Sequence, residues 1–264
     1  MASESVRGKN RYKGIIEEVM KKERIQFIDT IRGLVLVSMI LYHASWNLVY
    51  IYGVKWDWFH GTGAYLWQQS ICWTFILLSG FCFSLAKRHF KSGITVFGSG
   101  VLVTAVTIAV MPQNRVVFGV LTCIGTCILL LAAGEKWLKK IPAEWGVLFS
   151  FLIFLFTKSI NNGYGGIGNI LKIQLPGKWY CNYFTTFLGF PFPQFFSTDY
   201  FSLFPWFFLF ITGFYMGLIC QKKDRLQHPL WRKKIKFFAY AGRHSLVIYL
   251  LHQPVIFALQ EMIF

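Results

Sequence analysis

The sequence predicts an all-α fold, a polytopic integral membrane helix bundle with about seven transmembrane helices and a cytoplasmic N-terminus. Three observations carry that expectation. The 264 residues are 55% hydrophobic and only 14% charged, whereas a soluble domain carries about 25% charged residues. The mean hydropathy is +0.48, and apolar runs near the ~20 residues that cross a ~30 Å hydrocarbon core recur along the chain. The third observation is the placement of charge. Of the 27 Lys and Arg, 21 fall in the lead and connections on the membrane side that holds the N-terminus, 5 in those on the other side, and Arg32 inside the first span, the alternation demanded by the positive-inside rule. The formal net charge of +16 is therefore a topology signal with secondary contact to anionic lipid, and nucleic acid is not an expected partner.

The elements follow in order. Residues 1–24 read as a charged cytoplasmic lead, part of which could lie on the membrane surface. The polar lead is too long for the n-region of a cleavable signal, so the first helix is expected to stay as an anchor. Spans are expected at 31–52, 65–86, 94–111, 116–133, 144–160, 201–220 and 240–263, within a membrane domain of residues 25–264. A Trp-rich outer connection containing Asp57 and His60 fits an interfacial aromatic belt. "AKRHFKSG" and "GEKWLKKIP" are short inner turns, the latter with Pro142 stopping any helix, and "MPQNR" is an outer one. Residues 161–200 form the one long hydrophilic connection, rich in Gly, Asn, Pro and aromatics, and are expected to pack as an outer cap. "GYGGIG" within it lacks the preceding strand that a dinucleotide site needs. Gly213 and Gly217 are spaced for close helix contact. Gln253-Pro254 is expected to break the last helix locally. No internal repeat supports an inverted-repeat transporter. Five cysteines lie in or at the ends of spans and Cys181 in an outer loop, so disulfides are not expected to organise the fold. The Cys123 and Cys127 pair lacks a nearby His or acid, and no metal is expected.

The first span, "RIQFIDTIRGLVLVSMILYHASW", carries the chemistry. At about 100° per residue, Asp29, Arg32, His43 and Asn47 fall on one stripe, and ionisable groups in the hydrocarbon are functional-site hypotheses by default. His43 lies about 18 Å into the expected helix, where a neutral imidazole can accept a proton as a general base. Its bland alternative is a hydrogen bond to a neighbouring helix. Arg32 reads either as a snorkelling anchor or as a clamp for a phosphate or carboxylate, and Asp29 as its i,i+3 partner. His252, again near mid-membrane, is either a second site residue or a structural bond to the first helix. His60 is a candidate acceptor-side group. Arg243 and His244 are expected to snorkel, and His89 and His228 read as ordinary inner-loop residues.

"FIDTIRGLVLVSMILYH" resembles the first-helix signature of the transmembrane acyltransferases: an Asp, then Arg-Gly, then a histidine ten intervening residues after the Arg. "VVFGVLTCIGTCILL", "DYFSLFPWFFLFITGFYMG" and "AGRHSLVIYLLHQPV" look more specifically like bacterial members of the heparan-alpha-glucosaminide N-acetyltransferase catalytic-domain family. The resemblance runs from about residue 24 to 262, in four blocks in the right order. It implies transfer of an acyl group, usually acetyl from cytosolic acetyl-CoA, to an amine or hydroxyl of a glycan or lipid-linked acceptor across the membrane. The histidine matching His43 is catalytic in the related O-acyltransferases. In the lysosomal enzyme the active histidine lies later, before its second helix, which points toward His60.

The expected protein is thus a multi-pass acyltransferase of the cell membrane. Acyl-CoA enters from the cytosol with its phosphates near Arg32, which Asp29 pairs, and the basic 221–236 connection, and the acceptor approaches under the cap. His43 serves as base, with Asn47 or a backbone N–H steadying the oxyanion. The rival readings are a proton-coupled or small-molecule transporter in which His43, His252 and Asp29 relay protons, and a membrane scaffold without chemistry. Oligomeric state is left open.

Overall fold

The computed structural model describes residues 25–168, 170–222 and 228–264. The expected cytoplasmic lead, residues 1–24, lies outside the described residues, as does part of the basic connection after the sixth span. Among the described residues, six helices are long and apolar enough to cross a membrane. They are α1 (Gln26–Tyr50), α2 (Thr62–Leu85), α3 (His89–Val110), α4 (Val120–Leu138), α5 (Ala143–Thr157, extended by a 3-10 turn to Asn162) and, after the long connection, α7 (Leu203–Lys222).

The long connection holds the short hairpin β1 (Tyr164–Ile167) and β2 (Leu171–Gln174), antiparallel with Tyr164 opposite Gln174. The short helix α6 (Tyr183–Leu188) follows, with Asn182 and Thr185 forming a reciprocal capping box that satisfies backbone donors at its start. The expected seventh span is divided into α8 (Lys236–Arg243) and α9 (Ser245–Glu261), with His244 between them. At 17 residues, α9 lies at the lower end of the range for a span.

α7 is the centre of the bundle and packs on α2, α5 and α4. Leu209, Phe210, Phe214 and Tyr215 from α7 meet Ile76 and Phe83 of α2, Cys127 and Leu131 of α4 and Phe154 of α5 in the main core. Small residues set the closest approaches, as the sequence anticipates. A Cβ on Gly213 would stand 2.1 Å from the Leu77 carbonyl oxygen, and one on Gly80 would stand 1.9 Å from that of Phe210. Gly217 is equally tight against Ser84. The backbones of α2 and α7 therefore touch, which favours dispersion contact where lipid supplies no hydrophobic drive between helices.

A second reciprocal crossing joins α1 to α8. A Cβ on Gly33 would meet the Phe238 carbonyl oxygen at 1.9 Å, and one on Gly242 the Asp29 carbonyl oxygen at 1.9 Å. This crossing brings Arg243 to the start of α1. α9 then lies against α1 and α3. Two local expectations change. α1 begins at Gln26 rather than 31, so His43 stands about 25 Å along it at 1.5 Å per residue rather than about 18 Å, in its C-terminal third. The helix also runs through Pro254 without ending. Proline removes one backbone bond, but side-chain bonds from Gln253 and Gln260 to α1 hold the segment in place.

Candidate functional site

The stripe on α1 divides into two polar centres near opposite ends of the helix. At the first turn, Asp29 is buried between two guanidinium groups. Its Oδ1 lies 3.4 Å from Arg32 Nη1 and its Oδ2 3.6 Å from Arg243 Nε. Arg32 Nη2 also donates to Cys82 Sγ of α2 at 2.7 Å. Asp29 thus fixes Arg32, which lines a cavity of about 250 Å³ between α1, α2, α3, α4 and α9.

The cavity's polar lining includes Arg32, Ser79, His89, Ser92 and Ser245, and Tyr249 also faces it. Phe75, Phe83, Leu121 and Ile124 supply apolar walls. His89 opens α3. Its ring stacks on Phe83 at 3.9 Å, and its Nε2 lies 3.7 Å from Glu135, which holds Lys139 at 2.6 Å. The sequence offers His89 as an ordinary loop residue, and the fold places it on the cavity wall.

The second centre joins α1 to α9. The rings of His43 and His252 stand 4.9 Å apart. Gln253 Nε2 donates to His43 Nδ1 at 3.3 Å, so a neutral His43 carries its hydrogen on Nε2. His252 has the opposite tautomer. Its Nδ1 contacts the Tyr249 carbonyl oxygen, and a carbonyl can only accept, so the hydrogen sits on Nδ1. Nε2 is left as a buried lone pair with no hydrogen-bond partner among the described residues. The pair therefore combines one potential N–H donor with one potential base.

Asn47, fully buried, positions this pair. Its Nδ2 donates to Gln260 Oε1 at 3.0 Å and to Gln253 Oε1 at 3.4 Å, while Gln260 Nε2 donates to the Ala44 carbonyl at 3.0 Å. With both hydrogens engaged, Asn47 holds the glutamine that holds His43. His60 lies elsewhere, exposed in the 3-10 turn Asp57–His60, with Nδ1 3.3 Å from the Tyr50 hydroxyl. The structure thus brings His43, His252 and Asn47 together, sets Asp29 and Arg32 at the cavity's other end, and leaves His60 on the surface.

One group absent from the sequence reading joins the histidines. Asp199, in the connection before α7, accepts from the Tyr249 hydroxyl at 3.4 Å and lies close to the Val120 N–H at the start of α4. Burial pushes its carboxyl up from the ordinary carboxylate value, against the pull of the Val120 N–H, the nearby His252 ring and the Tyr249 hydroxyl. The signal was present, because Asp199 opens the "DYFSLFPWFF" block, but nothing local says which helix it meets.

Among the described residues, no group of three or more His, Cys, Asp or Glu could hold a metal ion. A family model described as heparan-alpha-glucosaminide N-acetyltransferase, catalytic, matches residues 24–254. The chain belongs to this family. No curated protein and no solved structure matches it. Membership in the heparan-alpha-glucosaminide N-acetyltransferase catalytic family, with six membrane-length apolar helices, makes the chain an integral membrane protein of acetyltransferase type. Both polar centres and the cavity between α1, α2, α3, α4 and α9 are built from residues inside the matched segment, except Gln260.

Proposed function

We propose that this protein transfers an acetyl group from acetyl-CoA to an amine or hydroxyl of a glycan or lipid-linked acceptor on the outer side of the cell membrane. The observation that carries the reading is the cavity running from Arg32 to Tyr249, with the histidine pair one helical turn beyond. Its volume, about 250 Å³, falls below the ~300–1,000 Å³ of a site that swallows a drug-sized ligand. That suits the pantetheine arm and acetyl group, while the nucleotide stays at the cytoplasmic mouth. Arg32, already oriented by Asp29 and Cys82, offers its remaining N–H donors to phosphate.

Beyond the Tyr249 end of the cavity, His252 takes the proton of the attacking amine or hydroxyl on Nε2. His43 donates from Nε2 to the carbonyl oxygen as negative charge develops on it. As the new C–N or C–O bond forms, the C–S bond breaks. The proton then passes from His252 to the departing thiolate, giving free CoA and the acetylated acceptor. Neither histidine lines the cavity. Tyr249, whose ring centre is 5.1 Å from that of His252, is the wall between them, so transfer requires its side chain to move aside. Holding donor and acceptor together in a water-poor site supplies much of the remaining acceleration.

Membranes containing the protein, incubated with acetyl-labelled acetyl-CoA, should transfer label to a glycan or lipid fraction, and the purified protein should bind acetyl-CoA saturably. Absence of both would reject the acyltransferase reading in favour of a transporter or scaffold.

A further inference from the structure

The last stretch of the outer connection is laced to the loop before α4. Val117 N–H donates to Ser197 Oγ at 3.0 Å, and Thr198 N–H to the Arg115 carbonyl at 3.2 Å. The Thr198 hydroxyl donates to the Asn114 carbonyl at 3.1 Å, and Phe201 N–H to the Phe118 carbonyl at 2.8 Å. Phe118 adopts φ 57°, a left-handed conformation uncommon for a bulky residue. Such backbone persists only where its surroundings over-determine it. Here Phe118 packs its ring on Phe187 and Phe195.

The product of this lacing is the placement of one side chain. Asp199 Oδ2 is 3.5 Å from where a Cβ on Gly119 would lie, at the positive end of α4. The carboxylate also receives the Tyr249 hydroxyl and stands within electrostatic range of His252. Tyr249 contributes a second link, because its carbonyl holds His252 Nδ1. A loop from the outer side therefore supplies an acid to a centre otherwise built from α1 and α9.

We propose that Asp199 is a positioning residue of the transfer reaction, balancing the charge that forms on His252 when the acceptor's proton arrives. This rests on the acyltransferase reading above. Asp199 keeps its own proton count throughout. The travelling proton goes from acceptor to His252 to thiolate, and the carboxylate acts only through its field on His252.

The test uses the full-length protein in lipid nanodiscs, acetyl-CoA as donor and glucosamine or water as acyl acceptor, with thioester cleavage as readout. Asp199→Asn should lower kcat roughly tenfold to a hundredfold, the scale of losing one charge partner at partly buried range, with KM for acetyl-CoA within about threefold. Asp199→Glu should recover a substantial part of that rate. The double variant Asp199→Asn/His252→Gln should be no slower than His252→Gln alone, because groups that act as one unit are non-additive. Unchanged kcat in Asp199→Asn overturns the proposal. So does a parallel loss of kcat, donor affinity and thermal stability that multiplies with the His252 loss, since that is the mark of a merely structural residue. A wild-type protein that neither binds acetyl-CoA nor cleaves its thioester overturns the acyltransferase reading itself, whereas an active wild type with an indifferent Asp199 overturns this inference alone.

Discussion

Glutamine substitution separates the two histidines, because it keeps a hydrogen-bond donor but cannot take up a proton. The structure assigns the hydrogen of His43 to Nε2, through the Gln253 amide on Nδ1, and leaves His252 Nε2 as the free lone pair. If His252 is the base, His252→Gln loses general-base assistance, typically ~10²–10⁴-fold, or about 2.7–5.5 kcal/mol of barrier at 1.36 kcal/mol per tenfold. His43→Gln retains an N–H near the carbonyl oxygen and should lose about tenfold or less. His43→Ala, with no donor at all, should fall by the ~10²–10³ of a missing oxyanion contact. The assay is the initial rate at saturating labelled acetyl-CoA, with acetyl-CoA binding measured on each variant to show that the fold is kept. The reasoning fails if His43→Gln is as inactive as His252→Gln, for then His43 is the base. It fails equally if both keep their rate while His60→Ala abolishes it, which would move the chemistry to the outer connection.

Three further outcomes are expected. Arg32→Lys should weaken acetyl-CoA binding, since lysine cannot reproduce the planar fork. At ~1.5–3 kcal/mol for a charge-assisted hydrogen bond, the loss would be about tenfold to a hundredfold in Kd, and unchanged affinity would return Arg32 to a topological anchor. Gly213→Ala forces a methyl to 2.1 Å from the Leu77 carbonyl oxygen and should destabilise the detergent-solubilised protein by about 1–3 kcal/mol. Gly63→Ala, with nothing within 4 Å of its Cβ, should leave the melting temperature unlowered; equal effects at the two sites would refute the close α2–α7 crossing. Reporter fusions after Gln221 and after Phe264 should report cytoplasmic and outer locations respectively, and both on one side would remove the two-sided donor and acceptor scheme.

The helices were legible because their signal is local: apolar length, charge between spans, and the glycine pair at 213 and 217. The stripe of Asp29, Arg32, His43 and Asn47 was legible for the same reason, since residues on one helix are placed by periodicity alone. What the sequence could not show was which groups meet across helices. Arg32 finds Cys82 fifty positions away, and Asn47 finds Gln260 more than two hundred positions away. The tautomers of His43 and His252 follow from bonds to Gln253 and the Tyr249 carbonyl, which exist only once α1 and α9 are packed. The apolar run read from 31 starts five residues after the helix does, because Asp29 is a charge at its edge. In the fold the Asp29 carboxylate is buried between the Arg32 and Arg243 guanidinium groups, and so lies in the first turn of the helix instead of preceding it.

The polar seam between α1 and α9 also argues about the kind of molecule that comes to it. Histidine, asparagine and glutamine side chains between apolar helices are worth keeping for stability only if each is paired. Most of the atoms are paired, and two are not. Asn47 Oδ1 and His252 Nε2 are both buried without a partner among the described residues. Each such atom costs about 1–3 kcal/mol, an expense that apolar replacements would avoid. Both are acceptors: one is an amide oxygen, and the other is the ring nitrogen left bare by the tautomer. Two acceptors of the same sense suit a seam that receives a hydrogen-bond donor. An amine or a hydroxyl is such a donor, and it is also the nucleophile that the proposed acetyl transfer requires.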